Sequence, residues 1–178
     1  GSLLEIGCGM EPLFSYLDDY TSYTVVEPSD KFYNVAKELA ADDKRISLFH
    51  DYIENIIVDK KYDFIIVSNL LHEIENPAIV LDAIKKLCHT NSVVYINVPN
   101  AKSFHRLLAL EAGIISSIYN KSDNQIKFQQ THTYNITTLQ SLVMSAGYAV
   151  VERGSYFVKP FTHSQMRMLL AHDVISTD

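Results

Sequence analysis

Between positions 63 and 67 the chain reads Asp-Phe-Ile-Ile-Val, an apolar run with almost no polar interruption. A strand with one wetted face alternates apolar and polar residues. A short continuous run must be covered on both sides, as in a parallel sheet. Three earlier strand-like segments, at residues 3–6, 23–26 and 46–49, and a fifth at 93–98 have the same short apolar character. Helical patterns separate most of them. Residues 12–17 read as a helix, and a second, capped by Ser29 or Asp30, runs to about Ala41. A third begins with Asn76 as N-cap and Pro77 in the first turn, where a missing N–H costs nothing. Its residues Ile79, Val80, Ala83, Ile84 and Leu87 are spaced to share one face. Strand–helix alternation predicts an α/β fold: a Rossmann-like, doubly wound, mainly parallel sheet with helices on both faces.

The second half is less regular. Residues 103–112 read as a helix stopped by Gly113, and residues 114–135 as a long polar connection. Thr137 and Gln140 match a capping box for a helix closing at Gly147. Residues 148–151 and 155–158 are strand-like, and a terminal helix covers about 163–171. The Asn135-Ile136-Thr137 sequon is better read as a helix start.

A chain of 178 residues suits one domain, with a cofactor half at about 1–98 and a substrate-side half at about 99–178. Fifteen Lys and Arg against twenty-one Asp and Glu leave a net charge of −6. Without a basic stretch there is no footprint for nucleic acid and no basic face for a membrane surface. The longest stretch free of Asp, Glu, Lys and Arg, 128–151, is rich in Gln, Thr, Ser and Asn and cannot span a bilayer. The chain opens directly into a strand pattern, so no signal peptide is expected. Cys8 in a loop and Cys88 at a helix end are expected to stay reduced, which implies a cytoplasmic location. The oligomeric state has no signature in the sequence.

Ligands of doubly wound folds bind beyond the carboxyl ends of the strands. There the first loop reads Glu5-Ile6-Gly7-Cys8-Gly9-Met10-Glu11-Pro12, and Glu27 closes the second strand. Two glycines one residue apart allow a tight turn and close approach of a ligand to the backbone. A carboxylate at Glu27 is placed to accept both hydroxyls of a ribose. A dinucleotide fingerprint would need a third glycine at position 12, where this chain has Pro12. Glu5 and Glu11 repel a pyrophosphate but attract an ammonium or sulfonium. The loop therefore fits a cationic nucleoside better than a dinucleotide, and a nicotinamide-dependent oxidoreductase is disfavoured.

Leu3-Leu4-Glu5-Ile6-Gly7-Cys8-Gly9 resembles the first motif of the class I S-adenosylmethionine-dependent methyltransferases, small-molecule branch. Val25-Val26-Glu27-Pro28 is similar to their second motif, and His50-Asp51-Tyr52 to the segment that recognises adenine. The stretch from Tyr62 through Ser68-Asn69-Leu70-Leu71-His72-Glu73 resembles the fourth motif and the loop under the methionine moiety. The resemblance covers roughly residues 3–98. It implies S-adenosyl-L-methionine as cofactor and methyl transfer to a small-molecule acceptor, leaving S-adenosyl-L-homocysteine. It assigns Glu5, Gly7, Cys8, Gly9, Glu27, Pro28, Asp51, Tyr52, Ser68, Asn69 and Leu70 to cofactor binding. Glu11 stands where the family commonly has a small residue. The usual leading helix and last antiparallel strand are not found, which suggests a shortened version of a longer enzyme. A catalytically inactive binding or regulatory module on the same fold is the alternative.

Two histidines are candidates for a catalytic base. His72 follows the fourth strand, and its imidazole either takes a proton or orients the loop. His132 lies in the long connection, near the substrate mouth by resemblance. His72-Glu73 is not a zinc motif, because a His-Glu-x-x-His pattern would need histidine where Asn76 stands. No metal is expected. His105 and Arg106 are candidates for an anionic acceptor or simply a solvated helix start. Tyr33 and the pair Tyr156-Phe157 read as core. Cys8 reads as a small packing residue and not a nucleophile.

Overall fold

The computed structural model describes residues 1–127, 130–156, 161 and 163–174. Five strands form one sheet: β1 (Ser2–Ile6), β2 (Ser22–Val26), β3 (Ile46–Phe49), β4 (Tyr62–Ser68) and β5 (Cys88–Asn97). Their order is β3-β2-β1-β4-β5, and every pairing is parallel. The strand order reverses at β1, so the ends of β1, β2 and β4 flank the switch point where ligands enter such sheets. The apolar run of β4 is explained by its place: Ile65, Ile66 and Val67 are buried between β1 and β5.

Alternating side chains of the sheet feed two cores. On one face Tyr23 and Val25 of β2 pack with Phe14, Tyr20 and with Ala36 and Ala40 of helix α1 (Asp30–Ala40). On the other, Leu4, Ile6, Ile65 and Val67 pack with Val80, Leu81 and Ile84 of α2 (Pro77–Lys86), and with Leu139 and Leu142 of α5 (Ile136–Ser145). The expected covering of both faces is therefore present. The remaining helices among the described residues are α3 (Phe104–Glu111), α4 (Asp123–Lys127) and α6 (His163–Ala171).

Several expectations are corrected. Residues 12–17 do not form an α-helix but a single 3-10 turn, Leu13–Ser15, set between two hydrogen-bonding demands described below. Residues 148–151 do not join the sheet; Tyr148 instead packs on the α2 core and donates its hydroxyl to the carbonyl of Leu81 at 2.7 Å. Of the strand expected at 155–158, Ser155 and Tyr156 are not in a strand, and 157–158, with Phe157, lie outside the described residues. The inward face of α2 uses Leu81, whereas Ile79 is 51% exposed. Cys88 opens β5 instead of ending a helix. The capping box of α5 is built by Asn135 and Thr138, not Thr137 and Gln140. The Asn135 carboxamide oxygen accepts the N–H groups of Thr137 and Thr138, and the Thr138 hydroxyl accepts the N–H of Asn135.

Candidate functional site

A cleft of about 870 Å³ opens at the carboxyl ends of β1, β2 and β4. Its first wall is the loop after β1. Gly7 and Gly9 hold φ of +74° and +60°, backbone that a side chain makes costly. Gly7 also has little room, since a Cβ there would stand 3.3 Å from both terminal methyls of Leu70. The turn is anchored from both sides. Gly7 donates its N–H to the carbonyl of Val26 at 2.9 Å, and Gly9 donates to Glu27 Oε2 at 3.3 Å.

Glu27 is 4% exposed at the end of β2. Its second oxygen accepts the N–H of Ser29 at 2.9 Å, which carries the chain into α1. Glu5, equally buried, points its carboxylate at the N–H of Leu13, with Oε2 at 3.1 Å, and accepts the Tyr23 hydroxyl at 2.9 Å. Those bonds fix the 3-10 turn after the glycine loop against β2. Burial raises the Glu5 carboxyl above its ordinary range, although the Tyr23 hydroxyl and Leu13 N–H pull the other way. The Cys8 thiol is pushed up to about 12, mainly by burial and by the nearby carboxylates of Glu27 and Glu5. A thiol so protonated packs and does not attack.

The structure brings together most of the residues singled out in the sequence. Glu5, Gly7, Cys8, Gly9, Glu27 and Pro28 line the cleft on the β1–β2 side. Tyr52 lines it from the segment after β3, and Ser68, Asn69 and Leu70 from the end of β4. Asp51 is outside the lining, next to Tyr52. It accepts the Tyr52 N–H and the Asn55 side-chain amide, both at 2.7 Å, and these bonds hold its carboxyl below the usual range.

Neither histidine lines the cleft. His72 is 4% exposed, its Nε2 is 3.6 Å from Glu73 Oε1, and burial lowers its pKa, so the imidazole is neutral at pH 7. Its Nδ1 has no hydrogen-bond partner among the described residues. His132 is joined to the same loop. It donates its N–H to the carbonyl of His72 at 3.0 Å, and its ring Nε2 meets the carbonyl of Glu75 at 3.1 Å. Thr131 adds bonds to the carbonyls of His72 and Ile74. Both histidines thus clamp the loop 71–76 to the long connection, and Glu73, Ile74, Glu75 and Asn76 of that loop line the cleft.

Arg106 of α3 is taken up by the segment that follows that helix, where its guanidinium donates to the carbonyls of Ile118 and Asn120 and to Gln125. Tyr33 is not core. It stacks on His50 with ring centroids 4.4 Å apart.

The lining also includes Phe32, which periodicity did not single out, and two residues of the periodic α2 pattern that were read as core. Phe32 of α1 and Ile79 and Val80 of α2 supply apolar contact. The exposure of Ile79 at the start of α2 is explained by this position. Glu11, Glu54, Glu73 and Glu75 join Glu5 and Glu27, and the lining holds no Lys, Arg or His among the described residues. A cleft lined by one sign of charge favours cationic ligands and disfavours phosphates. No group of three or more His, Cys, Asp or Glu that could hold a metal occurs among the described residues. No helix among them is long and apolar enough to cross a membrane.

Residues 1–153 match the sequence profile of the family described as "Methyltransferase domain". No curated protein matches the chain by sequence. Among solved structures, the plantazolicin methyltransferase BamL, in complex with a triazolic desmethylPZN analog and SAH, superposes with a TM-score of 0.61 at 21% identity, covering 82% of this chain and 53% of its own. The plantazolicin methyltransferase BpumL in complex with SAH gives 0.64 at 20% identity, covering 94% and 65%. A SAM-dependent methyltransferase from Thermotoga maritima, described as a possible histamine N-methyltransferase, gives 0.63 at 15% identity, covering 84% and 64%. The chain spans about half the length of the first of these, and at such identities the likeness is one of fold.

Proposed function

We propose that this chain, which belongs to the methyltransferase domain family, binds S-adenosyl-L-methionine in the cleft beyond β1, β2 and β4 and transfers its methyl group to a small-molecule acceptor. The observation that carries the proposal is the paired placement of Gly7 and Gly9, both at positive φ, against the buried carboxylate of Glu27 in a cleft whose lining holds no cationic side chain among the described residues. A dinucleotide would bring a pyrophosphate onto Glu5 and Glu11; a sulfonium and an ammonium instead gain from the same charges.

In this reading the glycine turn lets the ligand approach the backbone, and Glu27 accepts the ribose hydroxyls, exchanging its bond to Gly9 for ligand contacts. Tyr52 and the neighbouring Asp51 take the adenine, Cys8 and Pro28 complete the wall, and Ser68, Asn69 and Leu70 form the floor. Glu5, already bonded to Leu13 and Tyr23, supplies negative charge toward the methionine ammonium. The bound cofactor supplies an activated methyl on a sulfonium, released by in-line displacement. The protein's part is alignment and exclusion of water. A hydroxyl acceptor would need a base, and His72, neutral at pH 7, is available only if the loop 71–76 turns it toward the cleft; His132 holds that loop. An acceptor amine already neutral when bound needs none.

The acidic chain and the anionic cleft support a small acceptor over nucleic acid, and the free thiols of Cys8 and Cys88 support a reducing, cytoplasmic setting. We read the chain as one domain whose cofactor half ends near residue 98. Thermal unfolding tests the proposal. A ligand that binds only the folded state raises the melting temperature with its concentration. S-adenosylhomocysteine is expected to do so and NAD is not; stabilisation by NAD alone would contradict the proposal.

A further inference from the structure

We infer that Asn97, at the end of β5, is a positioning residue that holds the left-handed turn at Asn69 and couples the cleft floor to the hydroxyls of Tyr95 and Tyr156. This rests on the cofactor site proposed above.

A carboxamide offers two acceptor lone pairs on oxygen and two N–H donors. Asn97 uses all four. Its Oδ1 accepts the N–H of Asn69 at 2.8 Å and the hydroxyl of Ser68 at 3.2 Å. Its Nδ2 donates to the hydroxyl of Tyr95 at 3.2 Å and to that of Tyr156 at 3.0 Å. The amide orientation is fixed by this set, because a flipped carboxamide would face its N–H groups to the N–H of Asn69. The parallel register pairs Ser68 with Asn97, so the two strand ends present these groups side by side.

The position held is unusual. Asn69 has φ +50°, a left-handed conformation that asparagine tolerates but does not prefer. Its N–H is shared between the side-chain oxygen of Asn97 and the backbone carbonyl of the same residue at 3.1 Å. The next residue, Leu70, packs onto Gly7 of the glycine turn. A shift at Asn69 therefore moves the contact between the floor and the loop that lies against Glu27.

The network does little for the core. Tyr156 is 71% exposed and Tyr95 42%, so its loss removes few buried contacts. Its effect is on geometry: the hydroxyls of two exposed tyrosines are tied, through one amide, to the residue that shapes the cofactor floor. An acceptor that engages either hydroxyl would change how firmly the cofactor is held, and the reverse must hold by linkage.

The experiment compares wild type, Asn97→Ala and Asn97→Asp. Calorimetric titration with S-adenosylhomocysteine is run beside amide hydrogen exchange at Asn69 and thermal unfolding. Asn97→Ala is expected to weaken binding by about tenfold or more and to speed exchange at Asn69, with the melting temperature little changed. Asn97→Asp keeps an acceptor for Asn69 and Ser68, and the tyrosine hydroxyls can turn to donate to it, so it is expected to restore most of both. Wild-type affinity and protection in a folded Asn97→Ala protein, or failure of Asn97→Asp to recover either, would overturn the inference. If wild type itself does not bind, the cofactor reading fails, and exchange at Asn69 still decides whether Asn97 holds the turn.

Discussion

Gly9 donates its backbone N–H to the Glu27 carboxylate across 3.3 Å, so the turn after β1 is fastened to the end of β2. The neighbouring Gly7 is fastened as well, through its N–H to the carbonyl of Val26. Both glycines lie at positive φ, but their surroundings differ, and that difference is measurable.

Alanine at Gly9 would meet no heavy atom within 4 Å of its Cβ, so only backbone strain opposes it, about 1–2 kcal/mol. Alanine at Gly7 would bear the same strain and press on Leu70. Chemical denaturation of Gly7→Ala and Gly9→Ala should show the larger loss of stability for Gly7. Equal losses would mean that Leu70 yields freely.

His72 and Asp63 contribute to the acid side with one sign, opposed by the Glu5 carboxyl, whose raised pKa adds stability as pH falls through the carboxylate range. His72 is held below its ordinary pKa by burial. The unfolded chain therefore binds its proton first, and His72 contributes stability above about pH 6.5 that is lost as pH falls below it. Asp63 is lowered to about 2 by the Ser2 N–H, the Ser2 hydroxyl and His89. Its contribution is present above the ordinary carboxylate pKa near 3.9 and is lost as pH falls toward 2. Unfolding midpoints measured across pH should carry two losses on acidification, the first from His72 and the second from Asp63, with the Glu5 gain opposing them. His72→Gln should flatten the first and Asp63→Asn the second.

Helix α5 depends on one side chain. Asn135 accepts two backbone N–H groups with its oxygen and donates its amide to the hydroxyl of Tyr119 at 2.6 Å. Asn135→Ala is expected to cost about 0.5–2 kcal/mol in denaturant unfolding, the usual range for a lost N-cap. Thr137→Ala, two residues further on, should cost much less. The reverse order would restore the cap to Thr137.

The contrast between those two residues shows how much the sequence carried. Asn135 was legible as a helix start, but the choice of capping residue depends on φ and ψ, which a spacing rule cannot resolve. The sheet was legible because β4 cannot be so apolar unless it is central, and the strand ends then had to gather Glu5, Gly7, Gly9 and Glu27. Tertiary demands defeated the rest. The helix expected at 12–17 is one 3-10 turn, Leu13–Ser15, whose first N–H is given to Glu5. Ile79 left the core face of α2 for the cleft. Tyr148 has strand propensity, yet its hydroxyl bond to Leu81 holds it on α2. Asn97 gave no signal, because its four partners come from β4, the turn after it, β5 and a segment 59 residues away.

The central claim is tested most directly by titrating S-adenosylmethionine, S-adenosylhomocysteine and NAD into the wild-type protein and into Glu27→Ala by calorimetry. Micromolar binding of the first two and none of NAD is expected. In a folded Glu27→Ala protein, loss of charge-assisted hydrogen bonds should weaken binding by about 1.5–3 kcal/mol, roughly 10- to 150-fold. Binding of NAD in place of the sulfonium nucleoside, or unchanged affinity without the Glu27 carboxylate, would contradict it.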